Sequence, residues 1–183
     1  ERSNMLLHPE ALRLARSSLR LIDEAVRHNA EANRLFLDLL TGSEAPETTL
    51  RAMNETGVLG RFIPEFGRIV AMMQFNMYHH YTIDEHLIRA VGILARIEKG
   101  TLGDELPLST DIVKNIQNRK ALYVAVLMHD VAKGLGVDHS IVGADVTRKL
   151  CHRLGLSDGE ADTAGWLVEK HLVMSQFAQS RDI

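Results

Sequence analysis

At 183 residues, with 45% hydrophobic and 25% charged side chains, the chain has the size and make-up of one globular domain with an appended segment. A formal net charge of −3 with no Lys/Arg-rich block argues against nucleic acid as a partner, and no apolar run is long enough to span a membrane. The single cysteine, Cys151, excludes an internal disulfide and fits a reducing, cytoplasmic compartment, while a start at Glu1 without a signal-peptide layout predicts a piece of a longer protein.

Pro9 suits the first turn of a helix, and Leu12, Leu19, Ile22 and Val26 follow at near-helical spacing. Leu35, Phe36, Leu39 and Leu40 form a second apolar set ending at Gly42. Residues 9–40 therefore read as one long helix or two, broken near His28-Asn29, with the polar richness of an arm. Helix signals resume at Pro46 and stop at Gly57; Val58, Leu59, Phe62, Ile63 and Phe66 then make an apolar connector around Pro64. Residues 69–81 fit a helix and an extended run equally well. Thr82-Ile83-Asp84-Glu85 has the pattern of a capping box. It opens a helix whose apolar face is Leu87, Val91, Leu94 and Ile97, or Ile88 and Ala95, closed by Gly100. Residues 101–108 read as a loop, and Ser109 starts a short helix.

The next helix begins near Arg119 and carries the most informative stretch, Leu122-Tyr123-Val124-Ala125-Val126-Leu127-Met128-His129-Asp130-Val131-Ala132-Lys133-Gly134. Its apolar length predicts a buried helix, with Gly134 at the C-terminal end. Adjacent helical positions point about 100° apart, so His129 and Asp130 cannot both face the core. Both can reach one ion beside the helix end, and Lys133, four and three residues on, projects near them. His139 to Leu154 is a further helix ended by Gly155. Ser157-Asp158-Gly159-Glu160 is a second capping box, from which Ala161, Ala164, Leu167 and Val168 lead to His171. No alternating strand pattern of useful length occurs, so the chain reads as all-α.

The polar residues to weigh are His86, His129, Asp130, Lys133, Asp138, His139, His171 and Asp182. Imidazole nitrogen and carboxylate oxygen are ligands for hard or borderline divalent metals, and no thiolate cluster competes. These histidines lie at or near predicted helix ends, where bundles present side chains into shared pockets. Each taken singly has a bland explanation: His86 decorating a first turn, His139 starting a helix. His8, His28 and His152 have only that explanation, and His79 and His80, beside Tyr78 and Tyr81, are intermediate.

A histidine, then His-Asp, then further histidines and a late aspartate on successive helices resembles the HD superfamily of metal-dependent phosphohydrolases. Tyr78-His79-His80-Tyr81-Thr82-Ile83-Asp84-Glu85-His86, Leu127 to Gly134, Asp138-His139-Ser140, His171 to Ser175 and Arg181-Asp182-Ile183 resemble one branch more closely. That branch is the bifunctional PII uridylyltransferase/uridylyl-removing enzymes, and the likeness covers nearly the whole chain. It implies an HD-domain helical bundle over residues 67–183, preceded by a helical arm and connector over 1–66. It also implies a longer enzyme with nucleotidyltransferase and ACT domains, whose signatures do not occur in these residues. By the same resemblance His86, His129, Asp130 and Asp182 are ligands of the basic metal site, and His139 and His171 serve a second ion. Lys133 contacts phosphate, and Mg or Mn is the implied cofactor, with Fe or Zn tolerated.

The implied substrate is a tyrosyl-UMP phosphodiester on the PII signal protein, hydrolysed with Asp130 and Lys133 as catalytic residues. His79, His80 and Asp138 are substrate-binding candidates and alternative proton donors to the leaving tyrosyl oxygen; the residues do not choose among them. Two other readings remain open at this point: an HD phosphohydrolase of small nucleotides, and a catalytically silent helical relay domain.

Overall fold

The computed structural model describes residues 8–73, 81–135 and 138–180. Apart from one antiparallel bridge between Met73 and Thr82, the regular structure among them is helical. The N-terminal stretch is more broken than its apolar spacing predicts. α1 (Pro9–Ser17), a 3₁₀ turn (Leu19–Leu21), α2 (Glu24–Arg27) and α3 (Ala30–Gly42) follow one another. The break at Asn29 falls where the sequence places one, and Asp23 adds another; their side chains accept hydrogen bonds from the Ala32 and Val26 amides and start new helices. α4 (Pro46–Thr56) ends at Gly57, whose φ of 81° is the left-handed conformation of a helix stop. α5 (Val58–Phe62) and α6 (Pro64–Gly67) form the apolar connector.

α7 (Ile83–Glu98) begins at Thr82, which makes no side-chain cap; Glu85 turns instead to Arg51 at 2.6 Å. α8 (Pro107–Ile112) starts at its proline, two residues before Ser109. Then come α9 (Arg119–Met128), α10 (His139–Arg153), α11 (Asp158–Lys170) and α12 (Val173–Ser180). At α11 the capping box is complete, with Ser157 and Glu160 bonding reciprocally.

α10 packs along α11, α11 on α9, α9 on α7 and α3, and α7 on α4. Leu40, Leu50, Leu87, Val91, Val124, Met128 and Val168 are fully buried in one cluster that runs from α3 to α11. Each such side chain contributes about 1.5–3 kcal/mol. α1 and α2 bury nothing and lie outside this core. Gly92 lets α4 and α7 approach, because a Cβ there would fall on the Glu47 carboxylate. No helix among the described residues is long and apolar enough to cross a membrane. The packing brings the start of α7, the ends of α9 and α11 and the start of α10 to one place.

Candidate metal centre

α9 stops at Met128, earlier than Gly134. His129 caps it, and tight turns follow, with the Val131 amide donating to the Met128 carbonyl (3.0 Å) and the Lys133 amide to that of Asp130 (3.1 Å). Gly134, φ 84°, closes this segment. The turns that follow His129, which is itself still right-handed helical, bring Asp130 and Lys133 to the same side as the histidine ring. Asp130 is only 3% exposed.

The cluster is arranged around that carboxylate. Its Oδ2 lies 2.6 Å from Lys133 Nζ, 3.6 Å from His129 Nε2 and 3.8 Å from His86 Nε2. Its Oδ1 lies 3.4 Å from His171 Nε2 and 3.7 Å from His139 Nε2. His86 and His129 face each other at 3.1 Å between Nε2 atoms. Two trios result, His86–His129–Asp130 and Asp130–His139–His171, each with its donor atoms within 4.8 Å of one another.

Proton positions follow from the backbone. His129 Nδ1 is 2.8 Å from the Val126 carbonyl, and His171 Nδ1 is 2.7 Å from that of Val168. A carbonyl only accepts, so both Nδ1 atoms carry hydrogen. In the neutral rings Nε2 then presents a lone pair toward Asp130. Lone pairs facing a carboxylate repel it unless a cation lies between them. Asp130 Oδ1, His139 Nε2 and His171 Nε2 are buried with no hydrogen-bond partner, which native interiors ordinarily avoid. Nitrogen and oxygen donors so disposed fit a divalent cation.

Ionisation agrees with that fit at His129, His139 and Asp130, and His171 departs from it. Burial pushes His129 down to about 4, against the pull of Asp130, and also lowers His139. Burial acts the same way on His171, but nearby Asp130 and the Val168 carbonyl outweigh it and the pKa rises. Burial would raise the Asp130 carboxyl; His171, His129 and Lys133 more than offset this and hold it well below the ordinary range. An anionic carboxylate beside a neutral imidazole is the combination that binds metal.

The remaining sequence candidates divide. Asp138 is exposed and caps α10, its Oδ1 accepting from the Ser140 amide at 2.9 Å, so it fixes the turn that carries His139. His79, His80 and Asp182 lie outside the described residues. His8, His28 and His152 sit on the exposed surface. The residue pattern did not reveal the carbonyls of Val126 and Val168, which orient two rings. Nor did it reveal a groove of about 490 Å³ that ends at His129 and His171. Its signal was the pair of alternative faces on α7: Leu87, Ile88, Val91 and Ala95 are core, whereas Leu94 and Ile97 are half-buried and line the groove.

Residues 83–181 match the family described as HD domain, and residues 2–62 match one described as uridylyltransferase GlnD third domain. The chain is similar to a bifunctional uridylyltransferase/uridylyl-removing enzyme of Novosphingobium aromaticivorans, 58% identical over 177 residues covering 97% of this chain and 19% of the relative. It is also similar to one of Azospirillum brasilense, 56% identical over 183 residues covering 100% of this chain and 20% of the relative. The chain thus spans about a fifth of the length of these curated relatives.

Proposed function

The chain belongs to the HD domain family, and on that basis we propose that it is the uridylyl-removing portion of a longer bifunctional enzyme, a phosphodiesterase that releases UMP from uridylylated PII signal protein. The observation that carries this reading is the Asp130 carboxylate, shared by two histidine pairs with its Oδ1 unpartnered. We assign His86, His129, Asp130 and Asp182 to one cation, and Asp130, His139 and His171 to a second. Residues 1–66 are read as arm and connector and 67–183 as the hydrolase domain. Nucleotidyltransferase and ACT domains complete the parent enzyme in this reading, and the buried, free Cys151 suits a cytoplasmic setting.

When bound, a divalent cation supplies Lewis acidity, which makes a water nucleophile available near neutral pH and offsets phosphoryl charge. The chain's own contribution is to hold and orient. The Nδ1–H tautomers of His129 and His171 keep both Nε2 atoms available, and Asp130 stays anionic. Lys133, with its side chain 15% exposed, fixes a positive charge at the edge of the cluster that favours an anionic phosphodiester. Water adds to phosphorus and loses a proton, the bond to the tyrosyl oxygen breaks, and that oxygen takes a proton from His79, His80 or Asp138, which the water's proton then replaces. Mg or Mn is the cofactor of this reading; four imidazoles also favour Fe or Zn, which take nitrogen ligands readily.

The test is UMP release from uridylylated PII, with the metal content of each protein measured alongside. The wild-type chain should release UMP and regenerate unmodified tyrosine, and Asp130→Ala should release none. Equal rates in the two proteins refute the mechanism.

A further inference from the structure

Three helices carry their histidines at the end of an apolar stripe. On α7, His86 is followed at successive turns by Ala90, Leu94 and Ile97; on α9, Leu122 and Val126 lead up to His129; on α11, Leu167 precedes His171 by one turn. These stripes bound the groove of about 490 Å³, and among the described residues its lining is apolar except for His129 and His171. At 1.5 Å per residue, the α7 wall runs roughly 10 Å from Ala90 to Ile97, with His86 one turn beyond it. Ile93 on its rim is 38% exposed, so folding leaves an apolar track open beside a charged cluster.

We propose that this groove is the leaving-group subsite. It takes the aromatic side chain that bears the phosphodiester, together with apolar groups beside it, and the nucleoside lies toward Lys133 and His139. The inference rests on the hydrolase reading above. Ribose and uracil carry hydroxyl, carbonyl and N–H groups, which a wall of Ala, Ile, Leu and Val side chains leaves without partners. A phenyl ring requires only apolar contact, and its single polar atom is the ester oxygen. That oxygen belongs at the metal centre, because the bond to phosphorus breaks there. His129 and His171 are shared by groove and centre, so a ring in the groove delivers its ester oxygen to the cluster. A segment of the parent enzyme or a second copy of the chain are the competing occupants.

Rates cannot test this, since phenolate leaves more readily than alkoxide whatever the groove does. Binding can. The probes are two uridine 5′-phosphonates with an uncleavable P–C bond, one benzyl and one ethyl, titrated into the metal-loaded protein. The benzyl compound should bind about tenfold tighter or better, the scale set by a few carbons in an apolar pocket. Ala90→Trp, which fills the groove, should erase the preference while metal content stays at the wild-type level. Leu122→Ser, which makes the wall polar, should weaken it independently if the tryptophan disturbs folding. Equal affinities for the two probes, or binding of neither, overturn the proposal. If the chain hydrolyses uridylylated PII without an aryl preference, the groove assignment falls and the hydrolase reading stands. An aryl preference with no hydrolysis removes both the hydrolase reading and the leaving-group role.

Discussion

The first turn of α7 divides two polar clusters that have opposite character, one built on the buried Asp84 and the other on the buried Asp130. Asp84 and Glu85 face the α4 side. Asp84 accepts from Asn54 Nδ2 (2.7 Å) and the Ala71 amide (3.2 Å), and Glu85 meets Arg51, which also holds Glu47 at 2.9 Å. At the far end of the same helix Glu98 is met by Arg119 and by the Tyr123 hydroxyl at 2.8 Å. Each of these carboxylates has its counterpart within the chain. His86, the next residue along, turns to the other cluster, where Asp130 Oδ1, His139 Nε2 and His171 Nε2 are buried and unmatched. Both clusters lose hydration on folding; the carboxylates of the first are met by protein groups, although Asn54 Oδ1 beside them is buried without a partner, whereas in the second Lys133 meets Oδ2 of Asp130 and leaves Oδ1 unmatched. A cluster in which Asp130 Oδ1, His139 Nε2 and His171 Nε2 face one another without a hydrogen bond is arranged for something that the chain does not supply, whereas the seam is arranged for the fold.

The contrast should show most strongly in catalysis. Lys133→Ala removes the cation from the unmatched cluster and should lower kcat for UMP release by roughly 10²–10³ with KM nearly unchanged. Steady-state kinetics on uridylylated PII check this, and a rise in KM alone would mean that Lys133 only binds.

Acid should separate the two clusters next. Between the ordinary histidine value of 6.5 and about 4, the unfolded chain protonates His129 and the folded chain does not. Metal-free protein should therefore lose up to about 3 kcal/mol as pH falls through that window, by 1.36 kcal/mol per unit, with His171 opposing because its pKa rises. Glu98, held low chiefly by its bond to Arg119, gives stability that is present above 4.5 and is lost only below that value. Urea unfolding at stepped pH should thus show the histidine loss first, and His129→Ala should flatten it.

The smallest effect comes from breaking the seam. Asp84→Ala strands the Ala71 amide and the Asn54 side chain, a loss of about 2 kcal/mol in urea unfolding, with bound metal per chain unchanged. A parallel fall in metal content would erase the distinction between the clusters.

What the sequence showed and what it hid differ in range. Caps such as Ser157 with Glu160, stops such as Gly57 and Gly155, and the apolar spacing of α7, α9 and α11 are local, and the helices follow them. The end of α9 was hidden because Val131 and Ala132 are also buried, so the apolar run continues to Gly134 while the helix stops at Met128. Hydrophobicity reports burial, and a turn can be as buried as a helix. Thr82 and Glu85 have the letters of a capping box, yet Arg51, 34 residues away, takes the glutamate. In the centre, residue types and their order were legible. The split of Asp130 between two oxygens, the proton positions and the groove depend on how several helices meet, which no local pattern encodes.

The carbonyls of Val126 and Val168 belong to the last turns of α9 and α11, where helix carbonyls otherwise need water. The imidazole Nδ1–H that satisfies each of them also sets the direction of Nε2. Fraying of either helix end therefore swings a donor atom away from Asp130. By reciprocity, whatever holds Nε2 in place keeps those last turns wound. The stiffness of two helix ends and the readiness of the cluster to take a cation are in this sense one property, set by two hydrogen bonds that never touch the substrate.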